Sequence, residues 1–144
     1  MIVNYDNVRP SGERLKVFGG RASGYESIQE MFDGIYKVIT KNNSNKKQLS
    51  PVDCMDIANL IGVNVRSGGT RRSSEIVLFD ADDKESFNAK GELYKIINGE
   101  WTIDESISHR TMSNNSVFYE TNPTKEEWHK HVEAMRFSGE PGFV

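Results

Sequence analysis

Arginine and glycine residues are concentrated in two segments of the sequence, a combination that is typical of loops that bind phosphate. The first segment, residues 8–24, contains three arginines, one lysine and four glycines directly ahead of a predicted helix. A glycine-rich turn leaves backbone N–H groups free, and arginine side chains bind phosphate oxygens through paired hydrogen bonds. The same composition also fits a turn-rich hairpin with solvated cations, and the pattern alone favours that second interpretation.

The second segment, residues 63–76, places Gly68 and Gly69 among the arginines Arg66, Arg71 and Arg72. Glycines give a loop access to more than one conformation, and arginine side chains recognise anions and bases. The pattern therefore indicates a ligand-responsive loop between a helix and a strand. An exposed basic connector fits the same residues equally well.

Neither the acidic run nor the histidines have the spacing of a metal site. Asp80, Asp82 and Asp83 lack the glycine and the distal glutamate of a calcium loop, and helix capping explains them more simply. His129 and His131 are two residues apart on a predicted helix, so their side chains point in different directions. We expect no metal here, and we expect both histidines at the surface.

Two further parts of the sequence, Cys54 and the run from Asn114 to Ser116, could take part in chemistry or in structure. Cys54 is the only cysteine; it cannot form an internal disulfide, and its apolar neighbours predict a buried small hydrophobic residue. Asn114, Asn115 and Ser116 precede a predicted strand and offer amides for sugar or phosphate contacts. The alternative for these three is a turn with side-chain-to-backbone hydrogen bonds.

Composition narrows the class of protein. The formal net charge of −3 and the pI near 5.6 argue against a general nucleic-acid binder, which needs a broad positive surface. No apolar run approaches the roughly 18 residues that a membrane span requires, and the start resembles no secretory signal. We expect one cytoplasmic domain over residues 1–144.

Apolar periodicity predicts an α/β fold with helices packed on a small sheet. The predicted order is strand, helix, helix, strand, helix, strand, helix, and the polar run 41–48 is a predicted loop. The ranges are strands within 1–24, 75–79 and 116–119, and helices over about 25–39, 50–61, 83–90 and 124–137. Residues 93–103 are either a hairpin or a looser segment.

Specific residues mark where these helices begin and end. Ser23, Ser50 and Thr124 are predicted N-caps, and Pro51 follows Ser50 at the first helical position. Asp82 or Asp83 is the predicted cap of the short helix. Gly62 is the predicted end of the second helix.

Five segments together resemble one family. In chain order they are VRPSGERLKVFGGRASG, LSPVDCMDIANLIG, NVRSGGTRRSSEIVLFDADD, HRTMSNNSVFYE and SGEPGFV. Their residues and order are similar to those of adenosylcobalamin-dependent ribonucleoside-triphosphate reductases, over nearly the whole chain. The resemblance implies an internal piece of the ten-stranded α/β barrel in which a ribonucleotide loses its 2′-hydroxyl.

The resemblance also implies roles for the basic loop. In the family, the loop that matches residues 67–73 lies between the substrate base and the allosteric effector nucleotide. Ser67, Gly68, Gly69, Arg71 and Arg72 would then transmit effector identity to substrate choice.

Two other places are implied to lie near the nucleotide. Gly20 and Ser23 fall in the segment that would lie beside the barrel strands. Asn114 and Asn115 would open another barrel strand. Together with the loop, these residues form the expected substrate- and effector-binding set.

The sequence departs from the family in its cysteines. Family members use a thiyl radical on a loop cysteine and reduce the product with a cysteine pair, and Cys54 matches none of these positions. We therefore expect no catalytic residue in this chain. Adenosylcobalamin is the cofactor of the complete family enzyme, and we expect none bound to this chain.

Three interpretations follow from these matches and departures. The first is a truncated or split reductase subunit whose partners are nucleotide substrate, deoxynucleotide effector and the missing segments. The second is a non-enzymatic nucleotide-binding or regulatory module that kept the specificity loop. The third is a degenerate relative that forms homo-oligomers through strand edges which a complete barrel would cover. Neither a membrane nor a nucleic acid is an expected partner.

Overall fold

The computed structural model describes residues 2–17, 19–41, 48–69 and 72–144, and these form a mixed α/β fold. Residues 42–47, which make up most of the predicted polar loop, lie outside the described part. Arg71 of the basic loop also lies outside it. The elements in chain order are α1 (Glu26–Thr40), α2 (Pro51–Ser67), β1 (Glu75–Asp80), α3 (Lys84–Asn88), β2 (Tyr94–Ile97), β3 (Glu100–Ile103), a 3₁₀ helix (Glu105–Met112), β4 (Ser113–Phe118), α4 (Lys125–Ser138) and β5 (Gly142–Phe143).

The main sheet is parallel and has the strand order β1-β4-β5. Its register pairs Glu75 with Ser113 and Asp80 with Phe118, so β1 and β4 begin and end together. Helix α4 connects β4 to its parallel neighbour β5, which is the crossover that parallel strands require. Strands β2 and β3 form a separate antiparallel hairpin. The predicted α/β class is confirmed.

One face of the parallel sheet is covered by helices and the other is open. Val52 and Met55 of α2 form a buried cluster with Ala89, and Val77 of β1 packs against it. On the opposite face of β1, Ile76 is 74% exposed and Leu78 is 55% exposed. Alternate residues of a strand point to opposite faces, so the core lies between the sheet and α2.

Most helix starts follow the predicted capping residues. Ser50 accepts from the Asp53 backbone N–H, and the Asp53 carboxylate accepts from the Ser50 N–H, which completes a capping box behind Pro51. Thr124 forms the same box with Glu127. Asp83 is the cap of α3. These starts depend on local chemistry, and all three predictions are confirmed.

The predicted boundaries at Ser23 and Gly62 are wrong. Helix α1 begins after Tyr25, and no side chain caps it. Helix α2 continues through Gly62 to Ser67. A Cβ at Gly62 would lie 2.7 Å from Glu75 Oε1 and 3.1 Å from Met112 Cε. Gly62 therefore allows close packing inside the helix instead of ending it.

A second glycine brings the two long helices together. A Cβ at Gly34 of α1 would lie 2.9 Å from Leu60 Cδ2 of α2. The missing side chain lets Leu60 fill the space above the α1 backbone. The α1–α2 pair places the start of α1 beside the end of α2, where Ser27 Oγ lies 3.1 Å from Ser67 Oγ.

Three elements differ from the predicted order. The described residues before α1 contain no strand beyond an isolated bridge between Arg14 and Arg21, because glycines with positive φ turn the backbone. Neither the 3₁₀ helix nor β5 was predicted. The hairpin alternative for residues 93–103 is correct, with its turn at Asn98 and Gly99.

Candidate functional site

Two of the predicted binding segments meet in one cleft of about 280 Å³. Ser23 contributes from the glycine-rich segment, and Ser67 and Gly68 contribute from the end of α2. Arg9 and Arg21 also line this cleft. The cleft therefore combines two hydroxyl groups with two guanidinium groups, which can bind an anion, beside an apolar lining that includes Val8 and Ile28. The C-terminal end of α2 presents carbonyl groups and adds no donor for an anion.

The glycine-rich segment is held in place by backbone hydrogen bonds. Gly12 N–H donates to the Ala22 carbonyl oxygen at 2.9 Å, and Ala22 N–H donates to the Glu13 carbonyl oxygen at 2.8 Å. Arg21 Nη1 donates to the Gly12 carbonyl oxygen at 2.8 Å, so part of its guanidinium group stabilises this turn. Gly20 has a φ of 84° and its carbonyl oxygen accepts from Leu15 N–H at 3.0 Å. Gly20 therefore shapes the turn.

The end of α2 shows how the basic loop begins. Ser67 Oγ donates to the Asn64 carbonyl oxygen at 2.7 Å. Gly69 has a φ of 66°, a left-handed conformation that glycine adopts without strain, whereas Gly68 keeps right-handed helical angles. Arg66 Nη1 lies 3.1 Å from Met112 Sδ, so Arg66 points towards the 3₁₀ helix. Arg72 is exposed, and Arg71 lies outside the described residues.

Asn114 and Asn115 lie away from this cleft, in β4. Asn114 is exposed on the open face of the sheet, and Asn115 is buried on the helix side. Asn115 Oδ1 accepts from Ser113 Oγ at 2.9 Å, and Asn115 Nδ2 lies 3.2 Å from Met55 Sδ. The predicted turn at these residues is wrong, because both belong to a strand.

A larger cavity of about 580 Å³ lies between α1, α2 and the 3₁₀ helix. Asp56 and His109 line it, and so do Asn64 and Ser67, which also line the smaller cleft. The last turn of α2 is therefore a wall common to both cavities. Sequence reasoning did not detect this cavity, because the 3₁₀ helix that forms one side has no clear apolar period.

A buried ion pair stands at the edge of the larger cavity. Arg110 Nε lies 2.6 Å from Asp56 Oδ1 and Arg110 Nη2 lies 2.7 Å from Asp56 Oδ2. His109 Nε2 is 3.0 Å from Asp56 Oδ1. Burial opposes ionisation of Asp56, but the hydrogen bonds and charges of Arg110 and His109 outweigh it and lower the Asp56 pKa from 3.8 to about 2.

A second buried charge network fixes the start of β4. Lys90 Nζ lies 2.7 Å from Glu140 Oε2 and donates to the Ser113 carbonyl oxygen. The same Glu140 oxygen accepts from the Asn115 backbone N–H at 3.1 Å. No local pattern in the sequence indicates this network, since its members come from three separate elements.

His131 is buried, contrary to the surface position that we predicted for it. It is 1% exposed, and both ring nitrogens have partners. Nε2–H donates to the Pro141 carbonyl oxygen at 2.8 Å, and Tyr119 OH donates to Nδ1 at 2.9 Å. Burial, with a smaller contribution from Glu127, raises the pKa of Tyr119. His129 is exposed as predicted.

Cys54 is exposed on α2, contrary to the buried position that we predicted. Its neighbours Asp53 and Met55 face the core, so the helical period turns Cys54 outwards. Within the described ranges, no three His, Cys, Asp or Glu side chains are grouped as metal ligands. None of the helices in the described part of the chain has the length and apolar character to cross a membrane.

Comparison with known proteins gives whole-chain matches to one kind of enzyme. The adenosylcobalamin-dependent ribonucleoside-triphosphate reductase of Levilactobacillus brevis is 32% identical over 144 residues. The enzymes of the same name from Lacticaseibacillus paracasei and Lactobacillus leichmannii are 35% and 33% identical over the same length.

These matches cover all of this chain but only 17–18% of each relative. No family model matches the chain. No solved structure matches it significantly. The resemblance predicted from the five sequence segments is nevertheless confirmed: along its whole length, this chain is related to a segment of the adenosylcobalamin-dependent ribonucleoside-triphosphate reductases.

Proposed function

We propose that this chain is the part of a ribonucleotide reductase that binds nucleotide and carries the substrate-specificity loop. The complete enzyme converts ribonucleotides to deoxyribonucleotides. The main support is the cleft of about 280 Å³, which brings Ser23 together with Ser67 and Gly68 across more than forty residues of sequence. Both segments belong to the five on which the family resemblance rests.

The cleft has the groups that a nucleotide phosphate requires. Arg9 and Arg21 supply positive charge, and guanidinium groups bind phosphate oxygens in pairs. Ser23 and Ser67 supply hydroxyl groups. We propose that the phosphates lie against the arginines and that the nucleoside extends towards Gly68, where α2 ends.

The loop that follows α2 is suited to respond to such a ligand. Gly69 in the left-handed region lets the backbone leave the helix abruptly. Arg72 is exposed beyond it, just before β1, whose first residues lie beside Asn114 of β4. We propose that residues 67–73 change conformation with the bound effector, and that Arg71 and Arg72 pass this change to the substrate base.

We assign no catalytic step to this chain. Reduction of a ribonucleotide by thiols uses a cysteine pair, and the sequence has only Cys54, which is exposed on α2. The larger cavity, about 580 Å³, falls in the size range of small-molecule sites, the cleft of about 280 Å³ is large enough for only part of a nucleotide, and neither fits a group as large as adenosylcobalamin. We therefore propose that other parts of the complete reductase supply the cobalamin and the reducing thiols.

A second candidate is a nucleotide-binding or regulatory module without enzymatic activity. It is favoured by one observation: two separate segments of this chain, residues 8–28 and 64–68, meet to form the cleft. Binding would then need no other polypeptide. In this case the chain would report nucleotide levels through the loop at residues 67–73.

Calorimetric titration of the chain with the four deoxynucleoside and four ribonucleoside triphosphates tests binding. We expect saturable micromolar binding of a subset of them, at least tenfold weaker in Arg9→Ala. Arg14→Ala is the matched control, since Arg14 belongs to the same turn but does not line the cleft. Absence of binding, or equal losses in both variants, contradicts the proposed site.

A chimera separates the two candidates. The matching segment of the Lactobacillus leichmannii enzyme is replaced by this chain, and reduction of the four ribonucleoside triphosphates is measured with each effector. A reductase segment gives turnover with effector-dependent selectivity, and Arg72→Ala alters selectivity more than maximal rate. Binding by the isolated chain together with an inactive chimera supports the module instead.

A further inference from the structure

The hairpin formed by β2 and β3 stands apart from the parallel sheet. Its four cross-strand pairs run from Tyr94–Ile103 to Ile97–Glu100. Asn98 and Gly99 have φ values of 55° and 86°, which matches the type I′ turn that suits a two-residue hairpin. A two-stranded sheet without cover is marginal by itself, so its apolar side chains require an explanation.

One face of this hairpin is almost entirely apolar. Residues directly opposite each other in an antiparallel pair point to the same side, and so do residues two apart along a strand. Four large side chains therefore share one face, which we call the hairpin face: Tyr94 (37% exposed), Ile96 (60%), Trp101 (58%) and Ile103 (39%). The opposite face carries Lys95, Ile97, Glu100 and Thr102.

The base of the hairpin is fixed, so the hairpin face is preorganised. Leu93 is buried, and its carbonyl oxygen accepts from Asp104 N–H at 2.9 Å. Asp104 also accepts from Ser106 N–H at 3.0 Å and pairs with Lys95 Nζ at 2.6 Å. A face that is already ordered loses little conformational entropy when a partner binds.

The size of the hairpin face argues against a second copy as its occupant. Its exposed side-chain surface is on the order of 400 Å², judged from the usual sizes of such residues. Two copies face to face would bury roughly 800 Å², below the roughly 1,200 Å² of specific stable interfaces. A partner must therefore also contact the polar groups around the face.

Those polar groups are predominantly acidic. Residues 92–105 contain four carboxylates, Glu92, Glu100, Asp104 and Glu105, and one cation, Lys95. Lys95 is already paired with Asp104. Glu92 and Glu105 are exposed and flank the base of the hairpin face, whereas Glu100 is exposed on the opposite face. The two flanking carboxylates leave an excess of negative charge beside the apolar side chains. This arrangement complements a segment with apolar side chains flanked by lysine or arginine.

We propose that the hairpin face is a docking surface for a basic, amphipathic polypeptide segment of another protein. Its apolar side chains pack on Ile96 and Trp101, which are the most exposed members of the face and include the residue type most enriched at binding hot spots. Its cations pair with Glu92 and Glu105. No residue of the hairpin lines the nucleotide cleft, so this surface is independent of the proposed function.

Fluorescence of Trp101 tests the proposal directly. The sequence has two tryptophans, so Trp128→Phe makes Trp101 the sole reporter. The probes are two synthetic 14-residue amphipathic peptides, one of leucine and lysine and one of leucine and glutamate. We expect the lysine peptide to shift Trp101 emission to shorter wavelength with saturable binding that weakens as salt is added, and the glutamate peptide to bind at least tenfold more weakly.

A matched pair of variants locates the binding. Ile96→Ser removes an isoleucine from the hairpin face, and Ile97→Ser makes the same chemical change on the opposite face. We expect Ile96→Ser to weaken binding of the lysine peptide at least tenfold and Ile97→Ser to change it less than twofold. Equal effects of the two variants, or equal binding of both peptides, overturn the proposal. So does self-association in sedimentation equilibrium that Ile96→Ser abolishes and Ile97→Ser does not, because a second copy then occupies the face.

Discussion

The ion pair between Asp56 and Arg110 is expected to dominate the response of this fold to a single substitution. Arg110→Met keeps most of the side-chain volume but leaves the Asp56 carboxylate buried without its paired hydrogen bonds at 2.6 and 2.7 Å. It also leaves the Ala89 carbonyl oxygen without its guanidinium donor. Removing one partner of a buried pair costs about 3–5 kcal/mol in free energy of unfolding. Urea denaturation followed by circular dichroism at pH 7 measures this loss.

The pH dependence gives a second, independent signature. Because Arg110 and His109 hold the Asp56 pKa near 2, the carboxylate contributes stability above its ordinary pKa of 3.8, and this contribution is lost as the pH falls through about 2. The change in pKa corresponds to at most roughly 2.4 kcal/mol, and solvent screening reduces it to about 1–2 kcal/mol. In Arg110→Met burial acts with far less opposition and raises the Asp56 pKa. Acidification from pH 6 to 4 should then restore part of the lost stability.

Lys95→Met is the matched control for this experiment. It removes an ion pair with Asp104 at a comparable distance, 2.6 Å, but Lys95 is exposed. Exposed ion pairs contribute little to stability, because water and salt screen the two charges. A loss in Arg110→Met no larger than that in Lys95→Met, or a stability difference from wild type that does not shrink between pH 6 and pH 4, refutes the reasoning.

Three further substitutions probe packing, capping and the buried histidine by equilibrium unfolding. Gly62→Ala should change the free energy of unfolding by no more than about 1 kcal/mol, since its Cβ would meet only the ends of the flexible Glu75 and Met112 side chains and alanine favours a helix; a loss of about 3 kcal/mol or more contradicts this. Thr124→Ala should cost about 1 kcal/mol by removing one half of a capping box, and unchanged stability at pH 7 counts against that cap. His131→Leu leaves the buried Pro141 carbonyl oxygen and the half-buried Tyr119 hydroxyl group without their partner and should cost about 1–3 kcal/mol, so a melting temperature within 2 °C of wild type argues against the observed contacts.

Sequence reasoning succeeded where the chemistry is local. Ser50 followed by Pro51 begins a helix because neighbouring groups satisfy its first N–H groups. The Asn98–Gly99 turn depends only on the backbone conformations that these two residues adopt readily. The order of β1, α3, β4 and α4 followed from runs of apolar residues.

Reasoning from the sequence failed where distant residues decide the outcome. A glycine such as Gly62 is typical of a helix end, but the structural role of Gly62 depends on its packing against Met112, which lies fifty residues later in the sequence. His131 is typical of a surface helix until Tyr119 and Pro141 are placed around it. The first residues are rich enough in apolar side chains for a strand, yet no neighbouring strand pairs with them beyond one bridge among the described residues.

The candidate site was predicted in its parts but not in its assembly. The sequence identified the glycine-rich segment and the loop after α2 as separate hypotheses. These two segments come together because α1 and α2 approach each other closely. That close approach depends on Gly34, whose missing side chain leaves room for Leu60. Asn114 and Asn115 lie on opposite faces because successive side chains of a strand alternate. Which of the two faces is covered depends on the packing of α2, which the residues themselves do not reveal.

The wall between the two cavities has a thermodynamic consequence. Asn64 and Ser67 face both spaces, and Ser67 Oγ is held by the Asn64 carbonyl oxygen at 2.7 Å. A molecule that reorients Ser67 from one side changes the surface offered on the other. Linkage then requires reciprocity: whatever factor the first occupant applies to the affinity of the second, the second applies to the first. One helical turn would thus couple two ligands that never touch.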